Sequence, residues 1–367
     1  MRDPTAGVVG LRILLVANAA SIHTTRWARG LVARGHEVAV ASEGPPDCDG
    51  VSHVPLPPVG RGRVGVLRAA RALADAVSTL SPDVVHAHYV SHYGLIAAGS
   101  RWRPLVMSAW GADVEVFPRR NPVNRVLLRW LLSRADCVTA SGTYLASVTE
   151  RHLMPGRSCR VVPFGVDPQL FCPRPEGGAD VPRIVCNKHL ETVYGVDLLL
   201  RALDVLDVPL PWECVVLGEG AARQNLMRLA ERLGLGERVT FAGAVEPAAV
   251  ARVLQSAAVA VYPSRRESFG VAALEASASA VPVVAARVGG LCEVVHDGET
   301  GILVAPEDPR ALAAAIQAVL QDAETAALMG RRGRQLVMRE YTEERALDLM
   351  EQVYDDVGRP TFKGGRI

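Results

Sequence analysis

Two glutamates with seven residues between them, Glu267 and Glu275, flank a short polar turn in the second half of the chain. The apolar run Val259–Tyr262, closed by Pro263, predicts a buried strand before this turn. The Ala- and Leu-rich run after Gly270 predicts a helix, whose first N–H groups carry a partial positive charge and favour an anion. Gly270 has no Cβ, so a ligand can approach the backbone closely.

An ionised carboxylate only accepts hydrogen bonds, so the two glutamates fit a ligand with hydroxyl groups on either side of an anion. A nucleotide diphosphate sugar has this chemistry, with a ribose diol on one side and a hexose on the other. The alternative is that the helix dipole alone favours acidic side chains near the first turn. For Glu267 by itself, both interpretations stay open.

The composition limits the classes of function. A chain of 367 residues suits two domains of ordinary size. A net charge of +1 and an aromatic content of 5% disfavour nucleic acid as a partner. The seven cysteines are scattered without C-x-x-C spacing and predict reduced thiols in a cytoplasmic protein. No apolar run reaches the roughly 18 residues that span a bilayer, and no D-x-D or His/carboxylate cluster suggests a metal.

The first half opens with a strand, Leu11–Ala17, a helix, Thr24–Arg34, and a second strand, Glu37–Ala41, which together predict a doubly wound parallel sheet. The first turn lacks the G-x-G-x-x-G pattern of dinucleotide sites. Ser21 and Thr24 lie where they could cap the helix, and a ligand-binding role is open beside capping. The segment from Pro45 to Arg63 is rich in proline and predicts a loop.

Asp83–His88 predicts a strand that ends on a histidine at the carboxyl edge of the sheet, where open α/β sheets bind ligands. A structural role for His88 is the alternative. Leu105–Ala109 predicts another strand, with Trp110 and Asp113 directly after it. The arginine-rich residues 119–134 predict a helix that could contact anionic lipid. We favour a core-packed helix with a solvated arginine face, because its apolar residues follow one another too closely for a clean interfacial pattern.

The second half begins after a proline-rich stretch, Pro168–Pro182, that predicts a linker. The strand Arg183–Asn187 is followed by Lys188, one of only two lysines; the other, Lys363, lies near the end of the sequence. A Gly-Glu-Gly turn at Gly218 and Gly220 follows the strand Glu213–Leu217. By itself this turn is weak evidence for a nucleotide, since a tight turn explains it equally well.

The spacing of Glu267 and Glu275 matches the E-x7-E motif of the retaining glycosyltransferases of family 4, and the likeness extends from Leu11 to about Val357. Trp110 to Asp113 resembles the family's "WGSD" stretch, with alanine in place of serine. Phe164 replaces the asparagine of a "PNGVD" loop. The residues after Asn187 resemble the branch written "VKxLExxYGxD", in which Lys188 remains as a cation and Tyr194 stands where a lysine often occurs.

The resemblance implies an α/β GT-B fold, with two Rossmann-like, doubly wound domains that face each other across a cleft. The acceptor-side domain is expected at residues 1–168, joined by a C-terminal helix at 346–367, and the donor-binding domain at 169–345. The resemblance implies retaining transfer of a hexose from a UDP- or GDP-linked donor to a hydroxyl group. The acceptor is expected to be a glycan, a lipid-linked molecule or a small natural product. No cofactor or metal is expected, and the oligomeric state is left unassigned.

The resemblance also implies roles for individual residues. The catalytic set is His88, Lys188 and Glu267. The donor-binding set is Gly218, Gly220, Val245, Ser268, Phe269, Gly270, Val271 and Glu275. The acceptor-binding set is Ser21, His23, Thr24, Trp110 and Asp113.

In this scheme Glu275 binds the ribose, and Glu267 and His88 orient hexose hydroxyls. Lys188 and helix N–H groups offset the charge of the leaving diphosphate. The resemblance implies that the leaving phosphate acts as the base, so no protein base is named. One alternative is a non-catalytic nucleotide-sugar-binding module. A dinucleotide-dependent oxidoreductase is disfavoured, because neither half has the glycine fingerprint.

Overall fold

The computed structural model describes residues 10–60, 63–174 and 181–358 of the chain. The chain divides into two compact units, one of Met1–Phe164 with Glu344–Ile367 and the other of Gly165–Glu343. In the structure the boundaries between the units fall at 164/165 and 343/344. The boundaries predicted from the sequence are 168/169 and 345/346. Lys363, the end of the predicted C-terminal helix and part of the predicted linker lie outside the described residues.

The first unit is built on a seven-stranded sheet. Its strands are β1 (Arg12–Val16), β2 (Glu37–Ser42), β3 (Val51–Pro55), β4 (Val84–His88), β5 (Leu105–Ala109), β6 (Cys137–Ala140) and β7 (Arg160–Val161). All neighbouring strands are parallel, in the order β3-β2-β1-β4-β5-β6-β7. Every residue of β4 and β5 is buried, as expected where helices cover both faces of a parallel sheet.

The helices of the first unit cover both faces of this sheet. They are α1 (Ile22–Ala33), α2 (Arg63–Leu80), α3 (Tyr93–Ser100), α4 (Ala112–Glu115), α5 (Pro122–Arg134), α6 (Thr143–Glu150) and, from the end of the chain, α14 (Glu343–Gly358). Alternate residues of β1 point to different cores: Leu14 packs in the core that contains α2, α3, α5 and α6, and Leu15 packs in the core that contains α1 and α14.

The second unit has a six-stranded sheet, again with parallel neighbours. Its strands are β8 (Arg183–Asn187), β9 (Glu213–Leu217), β10 (Val239–Gly243), β11 (Val259–Tyr262), β12 (Val283–Ala286) and β13 (Gly301–Val304). Its helices are α7 (Val196–Asp204), α8 (Arg223–Arg232), α9 (Pro247–Gln255), α10 (Val271–Ala278), α11 (Leu291–Val294), α12 (Pro309–Gln321) and α13 (Ala323–Glu340). The strand order is β10-β9-β8-β11-β12-β13.

Both sheets therefore have the doubly wound strand order, and the predicted α/β class is confirmed. The strand order reverses between β1 and β4 in the first unit and between β8 and β11 in the second. Open α/β sheets bind ligands outside the carboxyl ends of the strands at such a switch point. A ligand-binding site is therefore expected in the loops that follow these four strands.

Two local predictions are wrong. The predicted loop from Pro45 to Arg63 contains β3, a half-exposed edge strand that pairs with β2 from Val51 to Pro55. The prolines of this segment favour a loop, but an edge strand such as β3 tolerates proline. The predicted linker packs on the second unit in its described part: Phe171 is fully buried, and its carbonyl accepts a hydrogen bond from Arg334 at 3.2 Å. Within the described residues, no helix is long and apolar enough to cross a membrane.

Candidate active site

Lys188 and Glu267 meet at the switch point of the second unit. Lys188 directly follows β8, and Glu267 lies in the loop after β11. The ammonium Nζ donates a hydrogen bond to Oε2 of Glu267, and the two side chains are only 9% and 12% exposed. Burial alone would lower the pKa of Lys188, but the charge and the hydrogen bond of Glu267 raise it above its ordinary value. Lys188 is therefore a cation at neutral pH.

Two aromatic rings enclose the same ammonium group. Nζ of Lys188 lies 4.9 Å from the ring centroid of Tyr194 and 5.8 Å from that of Tyr262. Cation–π attraction at these distances favours the charged form further. Tyr194 belongs to a 3₁₀ turn, Thr192–Tyr194, which ends at Gly195. The tyrosine that replaces a lysine in the family motif thus contacts the remaining lysine.

Glu275 lies in the second turn of α10 and is anchored from the neighbouring strand. Its Oε2 accepts a hydrogen bond from Nδ2 of Asn187 at 3.1 Å. The hydroxyl of Tyr262 lies 2.6 Å from Oδ1 of Asn187 and 2.8 Å from the carbonyl oxygen of Ala272. The last residues of β8 and β11 therefore fix this carboxylate at the same strand ends as Lys188 and Glu267.

The turn between the two glutamates is held by close backbone packing. Gly270 begins α10 with φ +112°, a conformation that L side chains rarely adopt. The amide of Gly290 donates to the carbonyl of Glu267 at 2.9 Å, and a Cβ at Gly290 would lie 2.4 Å from Cα of Phe269. The ring of Phe269 is buried near Tyr341, so only the backbone of Phe269 suits ligand contact.

Gly218 and Gly220 pack against the backbone beside Lys188. A Cβ at these positions would lie 2.1 Å from the carbonyl oxygen of Lys188 and 2.4 Å from that of Leu190. The glycines are therefore required by the turn itself, and contact with a nucleotide stays a prediction. Val245 lies between β10 and α9 and is 36% exposed. Its contact with a nucleobase also stays a prediction.

His88 ends β4 at the switch point of the first unit and is 1% exposed. Its Nδ1 lies 3.5 Å from Oγ1 of Thr24, and its buried Nε2 has no hydrogen-bond partner in the part of the chain that the structure describes. Burial, and then the neighbouring His86 and His23, hold the pKa of His88 well below its ordinary value. A neutral imidazole nitrogen without a partner suits a ligand hydroxyl.

A hydrogen-bonded chain below His88 connects this strand end to the C-terminal helix. Nδ1 of His86 lies 2.7 Å from the hydroxyl of Tyr354 in α14, and Nε2 lies 2.7 Å from Oγ of Ser108. Ser108 is in turn 2.6 Å from Oγ1 of Thr139. Burial lowers the pKa of His86 to about 3, so this residue is neutral and its role is structural.

Aromatic rings surround the remaining residues predicted for the acceptor. The ring of Trp110 lies 4.7 Å from that of His88, and the ring of His23 lies 4.4 Å from that of Phe164. Burial, and then the charge of Arg26, lower the pKa of His23 to about 4. Ser21 occupies the N-cap position of α1 without a side-chain cap hydrogen bond. Capping therefore does not account for its hydroxyl.

Asp113 has a structural task in the loop after β5. Its carboxylate is fully buried and accepts hydrogen bonds from the amides of Val90 and Gly111 at 2.8 Å each and from that of Trp110 at 3.2 Å. Burial raises its pKa to about 6 in spite of these bonds. The residue shapes the loop that carries Trp110, and its direct contact with an acceptor stays a prediction.

Sequence motifs identified the charged residues but not their supports. The sequence predicts Asn187 and Tyr262 only as parts of strands, although both close their strands at the carboxyl edge of the sheet. A polar residue at the end of an apolar strand is the available signal. Arg265 forms ion pairs with Asp197 at 2.8 Å and Glu307 at 2.9 Å. Among the described residues, no group of three or more His, Cys, Asp or Glu side chains could hold a metal ion.

Comparison with known proteins identifies the family. Residues 12–142 match the model of glycosyl transferase 4-like domains, and residues 176–336 match that of glycosyl transferases group 1. A GDP-mannose-dependent α-(1-6)-phosphatidylinositol monomannoside mannosyltransferase from Mycolicibacterium smegmatis is 35% identical over 66% of this chain and 67% of its own. A D-inositol 3-phosphate glycosyltransferase from Corynebacterium diphtheriae is 34% identical over 75% of this chain and 70% of its own. The chain therefore belongs to family 4 of the glycosyltransferases; the branch suggested by the motif at Lys188 stays a prediction.

Solved structures show the fold. Sucrose-phosphate synthase from Thermosynechococcus elongatus has a TM-score of 0.81 at 23% identity and covers 94% of this chain and 98% of its own. HepE from Anabaena, solved in complex with UDP and glucose, has a TM-score of 0.78 at 20% identity and covers 94% of this chain and 100% of its own. The two doubly wound units have the GT-B fold, and the predicted fold is confirmed.

Proposed function

We propose that this glycosyltransferase moves a hexose, with retention at the anomeric carbon, from a UDP- or GDP-linked donor to a hydroxyl group. The observation that carries this proposal is the pairing of Lys188 with Glu267 beside the anchored carboxylate of Glu275 at the switch point of the second unit. Its relatives and structural neighbours include one GDP-mannose-dependent enzyme and one protein solved in complex with UDP and glucose, which supports either nucleotide. The acceptor class is a glycan, a lipid-linked molecule or a natural product.

Each charged residue has a distinct part in the proposed transfer. Glu275 accepts hydrogen bonds from the ribose diol, and Glu267 accepts one from the hexose. Lys188, with the first amides of α10, offsets the charge that grows on the leaving diphosphate as the glycosidic bond breaks. The leaving phosphate oxygen takes the proton of the acceptor hydroxyl, so no protein side chain is assigned as a base. His88 presents its buried Nε2, which has no hydrogen-bond partner among the described residues, to a sugar hydroxyl.

We propose that the reaction needs no metal ion, because the cationic and amide groups at the turn supply the charge compensation. The experiment is to incubate the protein with a panel of UDP- and GDP-sugars and several acceptors, with and without EDTA. Nucleotide diphosphate release and the anomeric configuration of the product are measured. We expect one donor to be used, a retained configuration and no loss of rate with EDTA. An inverted product, or activity that is lost with EDTA and restored by magnesium, would contradict the corresponding part of the proposal.

The Lys188→Ala variant tests the site. The turnover of this variant is expected to fall by about 10²-fold or more, as for other transition-state electrostatic contacts. The control is Arg228→Ala, which removes an exposed cation on α8 that bonds only Asn225 among the described residues. A donor that binds but is never turned over by the parent protein would favour the alternative of a non-catalytic binding module.

A peripheral contact with a membrane through residues 119–134 is a separate proposal, and the solvent-exposed side of α5 supports it.

A further inference from the structure

Helix α5 has two apolar sides, and only one of them faces the core. Leu128, Leu131 and Leu132 are completely buried in the first unit. Val123, Val126 and Trp130 follow the spacing i, i+3 and i+7, which places them on one side of the helix. Their exposed fractions are 68%, 67% and 45%. The sequence-based preference for a core-packed helix with a solvated arginine face accounts for the leucines and leaves the exposed apolar ridge unexplained.

Arginines surround this ridge. Arg119 and Arg120 precede the helix, and Arg125 and Arg129 lie along it, all four exposed. In the described part of the chain, none of these four forms an ion pair with a carboxylate. Burial lowers the pKa of His152, and the charges of Arg129, Arg125 and Arg151 lower it further. These three arginines therefore lie near the same histidine.

The acidic residues next to this region in the sequence are Glu115 and Asp136. The carboxylate of Glu115 is buried and accepts a hydrogen bond from the hydroxyl of Tyr144 at 2.8 Å, and that of Asp136 forms an ion pair with Arg103. The guanidinium of Arg134 lies 5.8 Å from the ring of Trp130, at the other end of the ridge. The surface of α5 thus combines apolar side chains, an interfacial tryptophan and uncompensated positive charge.

We propose that this side of α5 docks on an anionic lipid bilayer. Val123, Val126 and Trp130 enter the boundary between headgroups and acyl chains, where helices with an apolar ridge and a basic border bind and where tryptophan is enriched. The arginines bind lipid phosphates, which their planar guanidinium groups match with paired hydrogen bonds. A two-fold interface with a second copy would place the same arginines against each other, and like charges would oppose it.

The experiment measures co-sedimentation of the full chain with vesicles of phosphatidylcholine alone and of phosphatidylcholine mixed with phosphatidylglycerol. We expect binding only to the anionic vesicles, weakened at high salt because surface charges are screened. The double variant Val126→Ser/Trp130→Ser and the double variant Arg125→Gln/Arg129→Gln should each bind at least tenfold more weakly. The control is Val205→Ser/Met338→Ser, which removes two exposed apolar side chains of similar exposure from the second unit.

Thermal unfolding and nucleotide release confirm that each variant is folded. The proposal is overturned if the parent does not bind anionic vesicles, if it binds neutral vesicles equally well, or if the α5 variants bind like the parent. It is also overturned if light scattering shows a dimer that the α5 variants dissociate, because the ridge would then be an interface between copies.

Discussion

The ammonium group of Lys188 donates a hydrogen bond to the carboxylate of Glu267. A nucleotide diphosphate that enters this turn brings further negative charge to a cation that Glu267 neutralises. Ser264 also donates a hydrogen bond to Oε2 of Glu267, at 3.3 Å. Glu267 therefore competes with the diphosphate for Lys188, whereas Glu275, bonded to neutral Asn187, does not. The two carboxylates should respond differently to removal.

We expect Glu275→Ala to lower the affinity for the free nucleotide diphosphate by about tenfold or more, since a hydrogen bond to a charged group contributes roughly 1.5–3 kcal/mol. Glu267→Ala should leave that affinity unchanged or raise it, because Lys188 is released, while turnover falls. Calorimetric titration of UDP and GDP against both variants measures the difference. Glu275→Gln and Glu267→Gln keep the size of each side chain and serve as controls for packing. Equal losses of affinity in the two alanine variants would refute this division of roles.

The charged residues proposed for this site could be chosen from the sequence, but the residues that hold them in place could not. Glu267 and Glu275 stand out through their spacing, and Lys188 through the rarity of lysine in the chain. The bond from Asn187 to Glu275 joins residues 88 positions apart, and it exists because β8 and β11 are neighbours in the sheet. The spacing of residues within one segment does not reveal that β8 and β11 are neighbours. The same limit applies to Tyr354, which reaches His86 from the end of the chain.

The short turn before α7 shows how one element positions another. Gly195 has φ +66°, and a Cβ there would lie 2.1 Å from the carbonyl oxygen of Pro263. The amide of Arg265 donates to the carbonyl of Val193 at 2.8 Å. The turn that carries Tyr194 is therefore pressed against the loop that carries Glu267. Their close approach brings the tyrosine ring over Lys188.

We expect Gly195→Ala to destabilise the second unit and to lower both nucleotide affinity and turnover. The added methyl group is strained by the backbone conformation, which costs about 1–2 kcal/mol, and it also forces the two loops apart. Gly234→Ala is the matched control, because Gly234 has the same φ of +66° with nothing within 4 Å of its added Cβ. Chemical unfolding and UDP or GDP titration of both variants separate strain from displacement. If the two variants lose the same stability and the same nucleotide affinity, the close approach of Gly195 to Pro263 does not contribute to function.

The elements themselves were predicted where apolar runs were long and uninterrupted. The strands Leu105–Ala109 and Val259–Tyr262 were found at their observed limits. β3 was missed because it is a half-exposed edge strand close to several prolines. A long apolar run marks a strand that is buried on both faces, and β3 is not buried on both faces.

Buried neutral histidines distinguish the first unit from the second. The pKa values of His23, His86 and His88 are all lowered, mainly by burial. In the unfolded chain these groups titrate near their ordinary pKa of 6.5, so below that pH only the unfolded state takes up the protons. Stability that is present above pH 6.5 is therefore lost as the pH falls toward 4. Asp113 has the opposite effect on stability as the pH falls. Its pKa is raised to about 6, so the folded state binds a proton at a higher pH than the unfolded state does.

We expect the melting temperature reported by tryptophan fluorescence to be lower at pH 5 than at pH 7.5. Each histidine removes about 1.4 kcal/mol per pH unit below 6.5, and three histidines outweigh one carboxyl group. Trp27, Trp102, Trp110 and Trp130 lie in the first unit and only Trp212 in the second, so the signal mainly follows the first. Hydrogen exchange of peptides from β11, compared with peptides from β4, provides the control within the same molecule. Greater acid destabilisation of β11 would be incompatible with this account.

Helix α14 gives the chain an unusual order of assembly during translation. The first unit needs α14, which supplies Met350, Val353 and Tyr354 to the core beside Trp27 and Leu31. The whole of Gly165–Glu343 leaves the ribosome before α14 does. Synthesis of this segment takes roughly 10–40 s at about 5–20 residues per second. The second unit can therefore fold first, although its codons come later than most of those of the first. Throughout that interval the nascent first unit lacks the helix that covers this apolar surface in the folded protein.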